Sequence, residues 1–229
     1  MRSTLPKLLI IGAGGFARET AEAVHALNAD QPTWNLVGYL DDDPALVGHR
    51  IQGVEVLGPL SMATAETSTN VVICTGRPDN YFSRKRIVRQ LSLPDDRYAT
   101  IVHPAASLGS STCVGPGSVL LAGVIATASV TIGRHVAVMP GTIFTHDDEI
   151  EDFCTVASGA RLGGSVHACE GSYLGAGCLI RESLRIGEWS LVGMGAVVTR
   201  DVPPAEVWAG VPARRHSTVS VPPDLLLGL

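Results

Sequence analysis

A repeat of six residues runs through the second half of the chain. The same apolar position recurs at every sixth residue from Leu108 to Val198 without an insertion. A second position, two residues earlier, holds a mostly small side chain each time, from Ala106 to Ala196. Inward positions two residues apart indicate a strand, and a fixed period of six is typical of a hexapeptide β-helix. Each repeat then gives one short strand and one corner, and three repeats close a triangular coil.

The residues before the repeat predict a different kind of fold. Strand patterns at 7–11, 35–40, 54–57 and 70–75 alternate with helix patterns at 16–27 and 81–92. Alternation of strands with helices predicts a small parallel sheet. We therefore divide the chain into an α/β domain at residues 1–100, a β-helix at 101–216 and a tail at 217–229.

Composition excludes several classes of protein. The sequence has no apolar run long enough for a membrane span, and its net charge of −5 argues against nucleic acid or an anionic membrane as a partner. The five cysteines show no metal-ligand spacing, and we expect no metal. Cys154 and Cys178 fall on the small inward positions, which favours buried, reduced thiols in a cytoplasmic protein.

A glycine turn follows the first predicted strand. Gly12, Gly14 and Ala17 have the spacing G-x-G-x-x-A at the start of the first helix, where free amide groups favour a phosphate. Asp41 ends the next strand, about where a ribose-binding carboxylate would lie. The turn predicts a nucleotide site, and the alternative is a turn needed only for close packing. An NAD-dependent oxidoreductase is disfavoured because the second nucleotide-binding half is missing.

Several short motifs together carry a resemblance to a known family. They are Gly12-Ala13-Gly14-Gly15-Phe16, Tyr39-Leu40-Asp41-Asp42, His103-Pro104, Thr145-His146-Asp147 and Gly210-Val211-Pro212-Ala213-Arg214. With them the chain resembles the bacterial sugar acyltransferases of the left-handed β-helix class, in the group of sialic acid O-acetyltransferases and UDP-4-amino-sugar N-acetyltransferases. The resemblance covers residues 7–214. It implies a small Rossmann-like domain before a left-handed parallel β-helix, acetyl-CoA as co-substrate, and a homotrimer with its sites between subunits.

The resemblance also implies roles for individual residues. The phosphates and sugar of the acceptor nucleotide sugar would lie beside Gly14, Gly15 and Phe16, and its nucleoside would face Asp41 and Asp42. Gly76 would form the far wall of this site. The pantetheine arm of the cofactor would pass the backbone of Gly164, Ala176 and Met194. Thr155 stands where the family often has a histidine that helps to hold acetyl-CoA.

His146 is the candidate general base. It lies two residues beyond the inward position of Phe144, so it should project from a corner of the coil. Acetyl transfer needs a base for the proton of the attacking amine or hydroxyl, and Asp147 can orient the imidazole. The alternative is a corner histidine without a catalytic role. Asp148 is a departure from the repeat, because its carboxylate takes a small inward position.

These features predict an acetyl-CoA-dependent transfer to the amino group of a UDP-linked amino sugar. No cysteine or serine beside His146 is placed as a nucleophile, which favours direct attack over an acyl-enzyme. O-acetylation of a sialic-acid-like sugar is the second interpretation. A nucleotide-binding solenoid without catalysis is the third.

Overall fold

The computed structural model describes residues 5–226, and its first part is an α/β domain. Its elements are β1 Lys7–Ile11, α1 Gly15–Asp30, β2 Asn35–Leu40, β3 Arg50–Ile51, β4 Val54–Gly58, α2 Met62–Ala65, β5 Asn70–Ile73 and α3 Ser83–Leu91. The strand order is β3-β4-β2-β1-β5, and every pair is parallel except β3 with β4. The antiparallel β3 and the four-residue α2 were not predicted, because neither is long enough to show a period.

Helix α1 begins directly after the glycine turn. Gly14 is its extended N-terminal cap, and small residues such as Ala17 and Ala21 are fully buried on one face. Small side chains let the helix approach the sheet closely. The helix ends three residues later than predicted, at Asp30.

The second part is the predicted β-helix. Its two-residue strands are β6 Ile101–Val102, β7 Ser107–Leu108, β8 Cys113–Val114, β9 Val119–Leu120, β10 Ile125–Ala126, β11 Thr131–Ile132, β12 Ala137–Val138, β13 Ile143–Phe144, β14 Glu149–Ile150, β15 Thr155–Val156, β16 Arg161–Leu162, β17 His167–Ala168, β18 Tyr173–Leu174, β19 Leu179–Ile180, β20 Arg185–Ile186, β21 Leu191–Val192 and β22 Val197–Val198. The second residue of each strand is the large apolar position of the repeat. The repeat therefore starts one hexad before Leu108, at Val102.

Three parallel sheets form the faces of a triangular prism. The β6 face contains β6, β9, β12, β15, β18 and β21; the β7 face contains β7, β10, β13, β16, β19 and β22; the β8 face contains β8, β11, β14, β17 and β20. Partners in each sheet are one coil, or eighteen residues, apart, as Ile125 pairs with Ile143. The predicted fold class is confirmed.

The large and small inward side chains fill the prism. Phe144, Ile150 and Cys154 are fully buried in one continuous apolar core that follows the prism axis, and Cys178 lies in the same core. Cys154 and Cys178 are free thiols, as predicted.

The α/β domain packs on the β6 face. Val24 of α1 shares a buried cluster with Ile101, Val119 and Leu121, which point outward from that face. A second contact lies at the corner between the β8 and β6 faces, where the Tyr81 hydroxyl donates to the carbonyl of Trp189 at 2.8 Å. The domain thus covers one face and one of its edges.

The end of the chain adds two strands to the β6 face. Strand β23, Glu206–Ala209, pairs with β21, and β24, Arg214–Thr218, pairs antiparallel with β23. Strand β24 crosses residue 217, where the tail was expected to begin, and α4 follows at Pro223–Leu226. Residues 1–4 of the expected first domain and 227–229 of the tail lie outside the described residues. None of the helices in residues 5–226 is long and apolar enough to span a membrane.

Candidate active site

His146 and Asp147 form an exposed pair at the corner between the β7 and β8 faces. They follow β13 and precede β14, and about two thirds of each side chain is accessible to solvent. His146 Nδ1 lies 2.9 Å from Asp147 Oδ2. An ionised carboxylate only accepts hydrogen bonds, so the pair requires the proton on Nδ1 and leaves Nε2 as a free acceptor. A free Nε2 on an exposed corner is suited to take a proton from a bound substrate.

Gly164 lies directly beneath this imidazole, one coil farther along. A Cβ on Gly164 would lie 2.3 Å from His146 Cε1, and the amide of the next residue, Ser165, donates to the His146 carbonyl at 2.9 Å. The ring therefore lies over bare backbone. The structure brings Gly164, predicted as a cofactor contact, together with the candidate base.

Asp148 points into the prism under the same corner. Its Oδ2 accepts from the Thr145 amide and its Oδ1 from the Val166 amide, both at 2.9 Å. The residue is 1% exposed, and burial raises the pKa of its carboxyl group to about 6. This carboxylate holds both chain segments that flank His146 and Gly164, which explains how the repeat tolerates an acidic inward residue.

A cleft of about 480 Å³ lies in the α/β domain, at the carboxyl ends of β1 and β5. It is lined by residues predicted as contacts, namely Gly14, Gly15, Phe16, Asp41 and Gly76, and by Gly12 and Ala13 of the predicted turn. The lining residues that were not predicted are Cys74, Thr75, Arg77, Asn80 and Ser83. Ligands of open parallel sheets bind at this edge.

Asp41 links the glycine turn to the loop that follows β2. Its Oδ2 accepts from the Ala13 amide at 2.9 Å and its Oδ1 from the Asp43 amide at 3.0 Å. Gly12 has a φ of +99°, and a Cβ there would lie 2.9 Å from the Cys74 carbonyl oxygen, so the turn needs glycine at this position. Gly14 has open space around it, which leaves the backbone accessible to a ligand.

Two predicted contacts need correction. Asp42 does not line the cleft; successive side chains of an extended segment point in opposite directions, and its Oδ1 accepts from the Leu60 amide at 2.9 Å. Thr155 is 2% exposed, because it points outward from the β6 face into the covering domain. Its hydroxyl accepts from Arg84 at 2.6 Å, so its side chain has no surface to offer the cofactor.

The other predicted cofactor residues share a different corner. Ala176 and Met194 lie one coil apart between the β6 and β7 faces, where the Gly195 amide donates to the Ala176 carbonyl at 2.8 Å. Met194 is 81% exposed. The β7 face separates these two residues from His146 and Gly164. Its outward side chains include the exposed Leu179 and Ile125.

The remaining histidines of the repeat have other environments. His135 is fully buried, and burial lowers the pKa of its imidazole to about 3. His167 lies within ligand distance of Glu151 and Cys169, a group whose atoms could hold a metal ion. However, its Nδ1 lies 2.9 Å from an Arg185 guanidinium nitrogen and its Nε2 lies 2.5 Å from Glu151 Oε1. Both ring nitrogens therefore already have partners within the protein.

Within one chain the cleft and His146 lie on opposite sides of the prism. The α/β domain covers the β6 face, whereas His146 occupies the corner shared by the other two faces. In a triangular section that corner is opposite the covered face. A single chain therefore separates the two candidate sites.

Comparisons with known proteins identify similar sequences. Residues 7–91 match the family of PglD N-terminal domains. GDP-perosamine N-acetyltransferase of Escherichia coli O157:H7 is 29% identical over 183 residues, which cover 76% of this chain and 78% of that protein.

Two solved structures superpose on nearly the whole chain. The acetyltransferase domain of PglB from Neisseria gonorrhoeae FA1090, in complex with acetyl coenzyme A, gives a TM-score of 0.81 at 25% identity and covers 93% of this chain and 100% of that chain. PerB from Caulobacter crescentus, in complex with CoA and GDP-perosamine, gives a TM-score of 0.80 at 27% identity and covers 93% of this chain and 99% of that chain. With the hexapeptide prism and the domain before it, these matches support a bacterial sugar acyltransferase of the hexapeptide class.

Proposed function

We propose that the chain transfers an acetyl group from acetyl-CoA to the amino group of a nucleotide-linked sugar. The observation that carries the proposal is the exposed His146–Asp147 pair, whose hydrogen bond leaves the imidazole Nε2 free. The cleft at the glycine turn is the proposed site of the nucleotide. The relatives described above bind CoA and GDP-perosamine or acetyl coenzyme A, which supports both substrates.

In the proposed mechanism His146 acts as the general base. Its Nε2 accepts a proton from the sugar amine as the nitrogen attacks the thioester carbonyl. Asp147 holds the productive tautomer and stabilises the imidazolium that forms. A backbone amide of the coil stabilises the oxyanion, and the thiolate of CoA leaves. Transfer is direct, without an acyl-enzyme.

We propose that the active site is completed by a second copy of the chain in a homotrimer. The separation of the cleft from His146 within one chain supports this proposal. The β7 face also supports it, because it exposes Ile125 and Leu179 between the two corners that carry the predicted cofactor residues. A molar mass of three chains by light scattering is the expected result.

The free cysteines support the expected cytoplasmic location.

One experiment tests both which nucleotide the acceptor sugar carries and whether its nitrogen or its oxygen is acetylated. UDP was expected from the resemblance, whereas two of the three relatives named above are named for GDP-perosamine or bind it. The purified protein is mixed with acetyl-CoA and UDP- or GDP-linked 4-amino sugars, and the released thiol is measured. The same sugars with a hydroxyl in place of the amine test O-acetylation.

The expected result is thiol release that depends on an amino sugar. Release only with hydroxyl acceptors, such as a sialic acid, would favour the O-acetyltransferase. Nucleotide binding without any thiol release would favour a non-catalytic solenoid.

A further inference from the structure

We propose that the buried guanidinium of Arg84 is a positioning residue of the nucleotide cleft, where its positive charge attracts the diphosphate of the acceptor through the Gly76 wall. This inference rests on the proposed function, since it assumes a nucleoside diphosphate in the cleft. Arg84 was not predicted as a site residue; the sequence placed it only within the helix pattern at 81–92.

Arg84 is fully buried among neutral acceptors. Its side chain is 1% exposed and donates to four backbone carbonyls and one hydroxyl. The acceptors are His135 O at 3.0 Å, Thr75 O at 2.7 Å, Phe153 O at 2.8 Å, Cys154 O at 3.1 Å and Thr155 Oγ1 at 2.6 Å. Nε, Nη1 and Nη2 of the guanidinium each donate to at least one acceptor, but none of these partners carries a charge.

The charge of Arg84 is therefore not compensated by the protein. Within residues 5–226, no carboxylate lies within 4.0 Å of it, whereas its neighbours Lys85 and Arg86 pair with Glu170 and Asp224. Burial lowers the pKa of Arg84 to about 10, so the group stays protonated at neutral pH. A buried charge without a counter-charge is unfavourable, and an anion bound nearby would relieve that cost.

The cleft is the nearest place for such an anion. A Cβ on Gly76 would lie 2.4 Å from Arg84 Nη1, and Gly76 lines the cleft together with Thr75 and Ser83. Only the glycine backbone therefore separates the charge from the cavity. The N-terminus of α1 lines the same cleft and presents amide groups that favour phosphate. Both features favour an anion in the cleft, which Arg77 and Asp41 also line.

The same guanidinium also connects the cleft wall to the β-helix. Thr75 belongs to the cleft, whereas Phe153, Cys154 and Thr155 belong to the prism. Loss of Arg84 can thus alter the shape of the cleft as well as its potential. A test must separate charge from shape.

Calorimetry with charged and uncharged probes makes this separation. GDP, UDP, guanosine and uridine are titrated into the wild-type protein, Arg84→Met, Arg84→Lys and the matched control Arg86→Met, after circular dichroism has shown that each is folded. We expect Arg84→Met to weaken diphosphate binding about ten- to thirtyfold, the factor for unit charges roughly 8–12 Å apart at an effective dielectric constant of about 20. Nucleoside binding should change less than about twofold.

The two remaining variants identify the cause. Arg84→Lys retains the charge and should retain diphosphate affinity within about threefold, although it loses most of the hydrogen bonds. Arg86→Met removes an exposed, paired charge and should bind like wild type. If Arg84→Met does not fold, the diphosphate and nucleoside affinities of Arg84→Lys are compared with those of the wild-type protein instead.

Three results would overturn the inference. Wild-type diphosphate affinity in Arg84→Met would show that the charge is not used. An equal loss of nucleoside and diphosphate binding in Arg84→Met or Arg84→Lys would show that the residue acts only through shape. Failure of the wild-type protein to bind either diphosphate would instead refute the proposed nucleotide site itself.

Discussion

The imidazole of His146 lies over the backbone of Gly164, at the equivalent corner of the next coil. Position 164 lies eighteen residues after position 146, so the regular repeat itself creates this contact. Any side chain at position 164 would occupy the volume of the ring. The orientation of the candidate base thus depends on a glycine that is distant in sequence from the His-Asp motif.

Replacing Gly164 by alanine should impair turnover without unfolding the protein. The new methyl group would lie 2.3 Å from His146 Cε1, so the exposed ring must move, whereas the φ of Gly164 suits alanine. We expect kcat to fall about ten- to a hundredfold through loss of alignment. Ser165→Asn is the matched control, because it adds atoms to the same corner at a φ of 59° that asparagine adopts. Equal kcat values for Gly164→Ala and wild type would show that the ring position is unimportant.

His146→Ala should lower kcat by about 10²–10⁴-fold if the imidazole is the general base. Affinity for acetyl-CoA should change little, because proton transfer acts in the transition state. Asp147→Asn should lower kcat less than His146→Ala does, because the base remains and loses only the carboxylate that orients it. Steady-state kinetics near neutral pH provides the measurement, with trimer formation verified first. A folded His146→Ala protein with near-normal turnover would refute the proposed base.

Gly14→Val should block the nucleotide cleft. Gly14 has a φ of −78° and nothing within 4 Å of an added Cβ, so valine enters the cavity without backbone strain. We expect binding of GDP or UDP to fall more than about tenfold, with acetyl-CoA binding unchanged, as judged by calorimetry. Ala65→Val, at an exposed helical residue away from the cleft, is the control. A change in acetyl-CoA affinity alone would contradict the division of roles between the domains.

Mixed trimers should test whether each site is built from two copies. Gly14→Val lacks the nucleotide cleft and His146→Ala lacks the base. If cleft and base come from different chains, about a quarter of the sites in randomly mixed trimers will combine an intact cleft with an intact base. Thiol release by the unfolded and co-refolded mixture is compared with that of each variant refolded alone. No recovery in verified mixed trimers would place cleft and base in the same chain.

Asp148 should make stability decrease as pH rises from about 4 to about 6. Its pKa is raised from 3.8 to about 6 in the folded protein, so the folded state binds the proton more tightly than the unfolded state in that range. A shift of this size corresponds to roughly 3 kcal/mol at most, fully lost above pH 6. Denaturant titrations of wild type and Asp148→Asn at several pH values give the difference in free energy of unfolding. A difference that does not vary with pH would show that Asp148 keeps an ordinary pKa.

The sequence predicted the prism well because each repeat must satisfy the same inward geometry. The phase of Phe144 correctly placed His146 on a corner, and the spacing of Gly12 and Gly14 correctly placed the turn beside a cleft. Asp42 was misplaced because a motif does not specify the direction of a side chain at the end of a strand.

Arg84 shows what a local motif cannot reveal. Its buried position shares the phase of Ile87 and Leu91 on α3, so the helical period did contain a signal. The charges of Lys85 and Arg86 obscured it. Likewise, the hexads assign each residue to a face, but only tertiary packing determines which face the α/β domain covers.

The regular coil also determines the position of each residue along the prism axis. Insertion or deletion of eighteen residues would leave every later residue at its own corner and move it along the prism by one strand spacing, about 4.8 Å. A change of six would instead carry it to the next corner. The height of His146 relative to the other parts of the protein can therefore change in discrete steps while its orientation is preserved.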